Sequence, residues 1–450
     1  MPPDILIYLK FNIMLKGSIL EKLTTRHQQL KNPLNLGVYY KNTLIALCHA
    51  LEDFILESTG NPLVLAAFQR GKWYLQEADR YGELAQKASE IVILAAPDTG
   101  FTTHPTSNQS NVSLVNLTTD DPVAQEWHLM ILSPSYSAMV LCQELSEEDY
   151  GIAGQPTQDL ERKFYGFWTF EADLVQETLE LAQEHIAKFN PEAAEKISQE
   201  ITLINQTPPA PEYDLTPVVY KVVDYLEGSQ QNLLLPHNYT EYGCTKDLDY
   251  NIFSNKMQAF LRMAQIIDQA DAVNPNTAAS VACYAEAMGQ LLDLPAWQIK
   301  RLRLAGLLHR LPPLQGVQSL TTDNDPSPSK LLRIMPQLEA IAKIITHQDE
   351  CWDGSGIPDG LAYDNIPLES RILSLAADFQ AQLLCYQQES DQYGKALAYC
   401  QEKSGTVYDP KLVQTLELLV LGLQQGMDLP INQPKIASGM WLLEEEEQSA

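Results

Sequence analysis

Three polar side chains lie in apolar surroundings in the second half of the chain. His309 ends the segment RLAGLLH, His347 follows AIAKIIT, and Asp378 lies inside ILSLAADFQAQLL. A carboxylate among leucines and alanines is costly to bury unless a cation or hydrogen-bond donors compensate its charge. Two imidazoles and a carboxylate are also the ligand types that bind divalent metal ions. His309, His347 and Asp378 are therefore candidate metal ligands; the competing interpretation is that they are hydrogen-bonded core residues.

The region that carries these residues is patterned for helices. Between residues 252 and 425, apolar side chains recur at intervals of three and four, which is the spacing of one face of an α-helix. The clearest segments are Leu302–Leu308, Leu338–Ile345, Ile372–Leu384 and Leu412–Leu421. No alternating strand pattern competes with them, so we expect an all-α bundle.

The first half of the chain is predicted to mix helices with strands. Asn42–Leu56 has helical spacing, whereas Pro62–Phe68 and Ile91–Pro97 are short apolar runs typical of buried strands. Trp127–Leu145 fits a strand, a turn and a second strand or helix, and Leu174–Phe189 fits an amphipathic helix. The predicted fold class is therefore multidomain, with a mixed α/β domain followed by an all-α one.

Composition divides the chain into four zones. We expect the α/β domain at residues 17–190, a linker at 191–250, the helical domain at 251–425 and an acidic tail at 426–450. The linker contains QTPPAPEYDLTP (Gln206–Pro217), which cannot hold regular structure because proline fixes φ and removes a backbone donor.

Charge and cysteine usage limit the class of protein. Lys and Arg number 30 against 58 Asp and Glu, a formal net charge of −28, which repels phosphate backbones and anionic membranes. The 7 cysteines form no CxxC pair, and the apolar N-terminal stretch is interrupted by Lys10 and Lys16 and is too short to span a bilayer. We expect a cytoplasmic protein without a membrane span and without nucleic acid as a partner.

One long segment in the helical half resembles a known family. HQDECWDGSGIPDGLAYDNIPLESRILSLAADFQA (His347–Ala381) is similar to the signature of HD-GYP domains, the HD-superfamily phosphodiesterases of cyclic di-GMP. GTVYDPKLV (Gly405–Val413) matches the closing motif of that family, and LRLAGLLHRL (Leu302–Leu311) lies where its HD dipeptide belongs. The resemblance implies an all-α HD bundle, with His309, His347 and Asp378 as the surviving metal ligands. It also implies a ligand-binding loop, formed by Asp353, Gly354, Gly356 and Pro358.

The departures from that family pattern concern its metal centre. Arg310 replaces the aspartate of the HD pair, and Thr277 and Gln348 stand where histidines are usual. A guanidinium cannot lose its proton, so Arg310 repels any cation placed beside it. We therefore expect no catalytic residues and no cofactor, or at most one divalent ion, iron or manganese. Arg310 is predicted to pair with Asp378 or with Asp349, or else to turn into solvent.

The first half resembles the DICT domain, a sensory module associated with diguanylate cyclases and two-component proteins. The resemblance rests on three short motifs, FQR at Phe68–Arg70, EW at Glu126–Trp127 and FWTF at Phe167–Phe170. It implies signal reception, often in cyanobacterial-type proteins, without a known ligand. The same region carries a dense aromatic set that predicts either a small-molecule pocket or plain core packing: Phe68, Trp73, Tyr74, Tyr81, Trp127, Phe167 and Trp168, with Arg70 and Arg80 as polar partners. His49 is expected to be a packed helix residue.

The preferred hypothesis is a signal-transduction protein in which a DICT-like sensory domain is coupled to a catalytically impaired, pseudo-enzyme HD-GYP-like domain. Its output is expected to be a binding event or a conformational change. The expected partners are signalling proteins of the diguanylate cyclase or two-component type, with a cyclic dinucleotide and a second copy of the chain as further possibilities. One alternative is a metal-dependent cyclic di-GMP phosphodiesterase with a reduced metal centre, and another is a passive scaffold that binds proteins only.

Overall fold

A computed structural model describes residues 14–28, 34–57, 60–97, 101–207, 215–233, 244–270, 277–311, 335 and 338–429. Contacts divide the chain into two compact units, with the division between Ala259 and Phe260. The first unit is a mixed sheet with helices and the second is helical, so the predicted fold class is confirmed.

The first unit is built on one seven-stranded sheet with the strand order β1-β7-β6-β5-β2-β3-β4. The strands are β1 Gly37–Tyr40, β2 Leu63–Arg70, β3 Glu90–Ala96, β4 Val112–Asn116, β5 Glu126–Leu132, β6 Ser137–Glu144 and β7 Lys163–Thr169. Strands β2, β3 and β4 run parallel, and the other pairings are antiparallel. All of β3, EIVILAA, is buried, as expected for a parallel strand that is covered on both faces.

Helices pack on the sheet, and successive side chains of β5 contact different helices. In the first unit the helices are α1 Ile19–His27, α2 Lys41–Glu57, α3 Gly71–Leu84, α4 Ala172–Ile186, α5 Pro191–Gln206 and α6 Thr216–Leu233. Trp127 of β5 donates its indole N–H to Cys48 Sγ of α2 at 3.3 Å. Because side chains alternate along a strand, Glu126 points the other way, where it accepts the N–H groups of Ile19 and Leu20 at the start of α1 (3.0 and 2.8 Å).

Residues 191–250, predicted as a linker, include the described helices α5 and α6. Helix α5 packs on β2, β3 and β4, and α6 lies along α2, where Tyr225 donates to Asp53. The next helix, α7 Cys244–Ala270, bonds to the same unit, since Asn255 accepts the indole N–H of Trp168 at 3.1 Å. The boundaries at 190, 250 and 425 stay predictions, and residues 208–214 of the proline-bearing spacer and 430–450 of the acidic tail lie outside the described residues.

The second unit consists of helices packed around Phe379. After the end of α7 come α8 Thr277–Leu291, α9 Ala296–Leu308, α10 Glu339–Thr346, α11 Leu368–Cys385, α12 Gln392–Glu402 and α13 Pro410–Gln424. Tyr284 of α8 meets the fully buried Phe379 of α11 edge to face, with ring centroids 5.4 Å apart. Among the described helices of the whole chain, none is both long enough and apolar enough to cross a bilayer.

The closest approach of α8 and α9 depends on Gly306. A Cβ atom added there would lie 2.5 Å from the Cα atom of Ala282, whereas one added at Gly289 of α8 would meet the flexible tip of Leu302 at 3.1 Å. We predict that Gly306→Ala lowers the free energy of unfolding by about 1–3 kcal/mol, because the helices must separate. Gly289→Ala is the matched control and is expected to change it by less than about 1 kcal/mol. Denaturant unfolding measures both, and equal losses would contradict the close contact.

Candidate functional site

The region that resembles the HD pair begins at the end of α9. His309 donates its Nδ1–H to the carbonyl oxygen of Gly306 at 2.6 Å, which leaves the lone pair of Nε2 available. Burial lowers the pKa of His309; the hydrogen bond to Gly306 opposes this, and the charge of Arg310 adds to it, so the pKa lies below its ordinary value. His309 is therefore a neutral imidazole with one nitrogen free to bind.

Arg310 pairs with a carboxylate from the end of α7. Its Nη1 donates to Asp268 Oδ1 at 3.1 Å, and the same oxygen accepts the backbone N–H of Ala278 at 2.8 Å. Asp268 is 2% exposed, so these donors compensate a buried charge at the start of α8. The prediction that Arg310 contacts Asp378 or Asp349 is wrong. Among the described residues, the carboxylate that Arg310 contacts is Asp268.

Asp378 is held by a tyrosine instead. The hydroxyl of Tyr408 donates to Asp378 Oδ2 at 2.6 Å, and burial together with the Asp378 charge raises the pKa of Tyr408 well above its ordinary value. The charge of Asp378 also affects the neighbouring Asp349. Burial raises the pKa of Asp349, and the charge of Asp378 raises it further. The two acidic groups thus repel each other across this part of the site.

His347 ends α10 and has an acceptor at each ring nitrogen. Nδ1 lies 2.8 Å from the carbonyl oxygen of Lys343, and Nε2 lies 3.1 Å from Asp359 Oδ2. Metal binding by Nε2 of His347 would therefore displace the Asp359 contact.

The described donors do not fit a two-metal clamp. Over the part of the chain that the structure describes, no group of three or more His, Cys, Asp and Glu side chains is placed to hold a metal ion. His309 offers one nitrogen, but Asp378 and His347 bond to other side chains. The residual metal site at His309, His347 and Asp378 stays a prediction.

The loop of the signature segment, residues 353–358, is held by its own hydrogen bonds and backbone conformation. Asp353 accepts from the N–H and the hydroxyl of Ser355 (3.0 and 2.6 Å), Gly354 has a φ of 84°, and the Ile357–Pro358 peptide bond is cis. A Cβ atom at Gly356 would lie 2.2 Å from the nitrogen of Cys351, so only glycine fits. Asp353, Gly354 and Gly356 therefore each have a role in the conformation of the loop. The role of these residues and of Pro358 in binding a ligand stays a prediction.

Two residues that sequence reasoning did not single out hold this loop. Glu350 is 4% exposed and accepts the backbone N–H groups of Asp359 and Leu361 at 2.7 and 3.0 Å. Arg371 donates to Asp409 at 2.8 Å and lies over the ring of Trp352 at 5.3 Å. Their signal in the sequence is a charged residue within an otherwise apolar or glycine-rich segment.

A second candidate site is a cavity of about 180 Å³ in the first unit. Its walls come from α2, α3, β2 and β5 and from the segment after β6: Lys41, Ile45, Cys48, His49, Glu52, Phe68, Gln69, Trp73, Gln76, Glu77, Tyr81, Trp127, His128, Leu129, Asp159 and Leu160. Of the aromatic set predicted from the sequence, Phe68, Trp73, Tyr81 and Trp127 line this cavity. The remaining three, Tyr74, Phe167 and Trp168, are buried in the core.

The charges of the cavity wall pair with one another. Arg80 donates to Glu52 at 2.6 Å, Tyr81 donates to the second oxygen of Glu52 at 2.9 Å, and His49 Nε2 lies 3.3 Å from Glu77. Burial raises the pKa of Glu52 despite the nearby Arg80. Burial lowers the pKa of His49, but the Glu77 hydrogen bond and the Glu52 charge outweigh this and leave it raised. His49 thus lies in the cavity wall and is not only a packed helix residue.

Comparisons with known proteins match both units. A family model described as the sensory domain in diguanylate cyclases and two-component systems (DICT) matches residues 17–145, and an HD domain model matches residues 326–412. The chain contains a DICT sensory domain and an HD domain. A third model, described as the C-terminal domain of a two-partite extracellular sensor domain, matches residues 158–235, which include β7 and the helices α4 to α6.

The HD domain has curated relatives over a short stretch. It is 41% identical over 76 residues to the cyclic di-GMP phosphodiesterase response regulator RpfG of Xanthomonas campestris, covering 17% of this chain and 20% of that one. It is 40% identical over 82 residues to the 3'3'-cGAMP-specific phosphodiesterase 3 of Vibrio cholerae, covering 18% and 17%. The chain thus spans at most a fifth of these relatives' length.

A crystal structure of a cyclic GMP-AMP-specific phosphodiesterase from Vibrio cholerae also matches. It has 21% identity and a TM-score of 0.29, and the match covers 39% of this chain and 53% of that one.

The Arg310–Asp268 pair gives a stability prediction for the HD domain. Arg310→Ala is expected to lower the free energy of unfolding by about 1–3 kcal/mol, because it removes one donor from a buried carboxylate. Arg303→Ala on the same helix removes a more exposed pair with Glu286 (2.8 Å) and is the matched control, expected to cost less than about 0.5 kcal/mol. Equal costs in denaturant unfolding would contradict a structural role for Arg310.

The His49–Glu77 pair gives a pH prediction for the DICT domain. A raised pKa means that His49 contributes stability below its ordinary pKa and that this contribution is lost as the pH rises through the raised value. His49→Gln is therefore expected to destabilise the protein more at about pH 5.5 than at about pH 8.5. Unfolding curves at both pH values measure this difference. Glu77→Gln should remove the same pH dependence, and a pH-independent deficit would refute the pairing.

Proposed function

We propose that this protein is a signal-transduction protein in which the DICT domain regulates an HD domain that binds a cyclic dinucleotide without efficiently hydrolysing it. The DICT domain and the local likeness of the HD domain to cyclic di-GMP and 3'3'-cGAMP phosphodiesterases support a sensory input coupled to a dinucleotide-related output. The output is a binding event or a conformational change that signalling proteins recognise.

The observation that carries the proposal is the cation next to His309. Arg310 stands where the family has an acidic metal ligand, and it lies against the buried Asp268. At about 4 Å and an effective dielectric constant near 20, two unit charges interact by roughly 4 kcal/mol, and a divalent ion doubles that repulsion. The ion pair with Asp268 reduces this repulsion, but guanidinium keeps its proton, so titration cannot remove the cation from the site.

The remaining ligand positions support the same conclusion. A metal-dependent phosphodiesterase uses its ions to acidify a water and to neutralise phosphate charge. In this chain Tyr408 donates to one oxygen of Asp378, and Nε2 of His347 would have to give up its contact with Asp359 before it could bind a metal. A dinucleotide phosphate, in contrast, gains from a fixed cation such as Arg310 whether or not a metal is present.

A slow metal-dependent phosphohydrolase is the second candidate function. It is favoured by the free Nε2 of His309 and by the 41% local identity to a cyclic di-GMP phosphodiesterase. A single iron or manganese ion on His309, His347 and Asp378 would then support residual hydrolysis.

Turnover assays on the full chain separate the two candidates. We predict no conversion of cyclic di-GMP or 3'3'-cGAMP above the protein-free background when Mn²⁺ or Fe²⁺ is added, with product analysis by chromatography. Metal analysis of the same preparation is expected to give far less than one ion per chain. Turnover within the usual enzymatic range of about 1–10³ s⁻¹, or stoichiometric metal, would overturn the proposal.

Calorimetry separates a receptor from a passive scaffold. We expect cyclic di-GMP or 3'3'-cGAMP to bind with a Kd of about 1–10 μM, and GMP, the matched half-ligand, to bind at least about tenfold more weakly. Arg310→Ala should weaken binding while Arg303→Ala should not. The absence of heat with either dinucleotide would contradict the receptor and favour a scaffold.

A further inference from the structure

The cavity of the DICT domain has the size of a small-molecule site. Its volume of about 180 Å³ is similar to cavities of roughly 150 Å³ that bind benzene. Pockets for larger ligands usually measure about 300–1,000 Å³, so a cyclic dinucleotide does not fit. The occupant of this cavity is therefore a compact molecule of one or two rings.

The cavity is open at one side and apolar inside. Cys48 and Leu129 on its inner wall are 5% and 1% exposed, whereas Leu160 is 41% exposed. Phe68 and Tyr81 meet edge to face with centroids 5.6 Å apart, and the Trp127 ring meets Phe164 in the same way at 5.6 Å. A ligand that enters past Leu160 therefore contacts aromatic rings whose orientation is already fixed by other rings.

Three donors of the wall already contact acceptors of the chain. Trp127 donates to Cys48 and Tyr81 donates to Glu52. Lys41 forms an ion pair with Asp159 and lies over the Trp73 ring at 4.0 Å. A ligand that accepts from Trp127, Tyr81 or Lys41 would have to displace one of these contacts.

The carboxylate acceptors of the wall, in contrast, keep lone pairs that can accept further hydrogen bonds. A carboxylate offers about four lone-pair positions, and Glu52 uses one at each oxygen for Arg80 and Tyr81. Glu77 accepts from His49 at one of its oxygens. Glu52, Glu77 and Asp159 each face a cationic partner, Arg80, His49 and Lys41, but their remaining lone pairs can accept from the N–H groups of a ligand.

We propose that this cavity is the ligand site of the DICT domain and that it binds a compact aromatic amine in its ammonium form. The ring system packs on Phe68, Tyr81 and Trp127, and the ammonium group donates to Glu77 and Glu52. This inference deepens the proposed function by naming the class of signal that the sensory domain receives. Binding here succeeds or fails whatever the HD domain hydrolyses, so the two proposals are tested separately.

Three indole probes of similar ring size test the proposal on the full chain by calorimetry. Tryptamine carries an ammonium group, indole is neutral, and indole-3-propionate carries a carboxylate. Tryptamine is expected to bind with a Kd below about 1 mM and at least about tenfold more tightly than indole-3-propionate. Equal or tighter binding of the carboxylate, or no binding of tryptamine, would overturn the proposal.

Two variants locate the binding in the cavity. Ile45 is a half-buried wall residue, so Ile45→Trp fills the cavity without removing any polar contact, and it should weaken tryptamine binding at least about tenfold. Glu77→Gln should weaken tryptamine while leaving indole unchanged. Leu203→Trp, at an exposed position of α5 outside the cavity, is the matched control. Tryptamine binding that survives Ile45→Trp in a folded protein would place the ligand elsewhere and refute the site.

Discussion

An ion pair between Arg310 and the buried Asp268 connects the end of α9 to α7 in the second unit. The carboxylate of Asp268 also receives the N–H of Ala278 in the first turn of α8. Removing one of these donors leaves the buried charge less compensated, which is why such pairs are costly to break from one side. The guanidinium that compensates Asp268 is also the cation beside His309 on which the proposed function depends.

In both candidate sites, acidic side chains are paired with hydrogen-bond donors of the chain. In the HD domain, Asp378 is hydrogen-bonded by Tyr408 and Asp359 contacts His347. In the DICT domain, Glu52 is compensated by Arg80 and Glu77 contacts His49. Acidic side chains that are buried in a chain of net charge −28 must be compensated locally, because the surrounding field opposes every ionised carboxylate. In the DICT domain, a cavity of about 180 Å³ adjoins these carboxylates.

The sequence predicted the elements that carry strong apolar patterns. The runs around Val64 and Ile93 are β2 and β3, because a parallel strand that is covered on both faces must be continuously apolar. Strands β1 and β7 were not predicted: GVYY and KFYGFWT are aromatic and short, and they pair with each other across more than a hundred residues of sequence. Helix α12, QYGKALAYCQE, was missed because it buries only Ala396 and Cys400 and leaves no clear apolar face.

The partners of site residues were less predictable than the residues themselves. The aromatic cavity was one of two interpretations of its composition, and Glu52 and Glu77 joined it only once α2 and α3 packed side by side. The sequence singled out Arg310 as a residue of interest, but its partner Asp268 comes from a helix 42 residues earlier. No local spacing encodes such a pair, since it is fixed by the packing of helices rather than by periodicity.

Ligand size separates the two ligands proposed for the protein. A cyclic dinucleotide carries two bases, two sugars and two phosphates, and a cavity of about 180 Å³ holds a single small ring system. The proposed amine and the proposed dinucleotide therefore do not share the DICT cavity. Any effect of one on the other must act through a change in the populations of protein conformations, which is the physical meaning of coupling a sensory domain to an output domain.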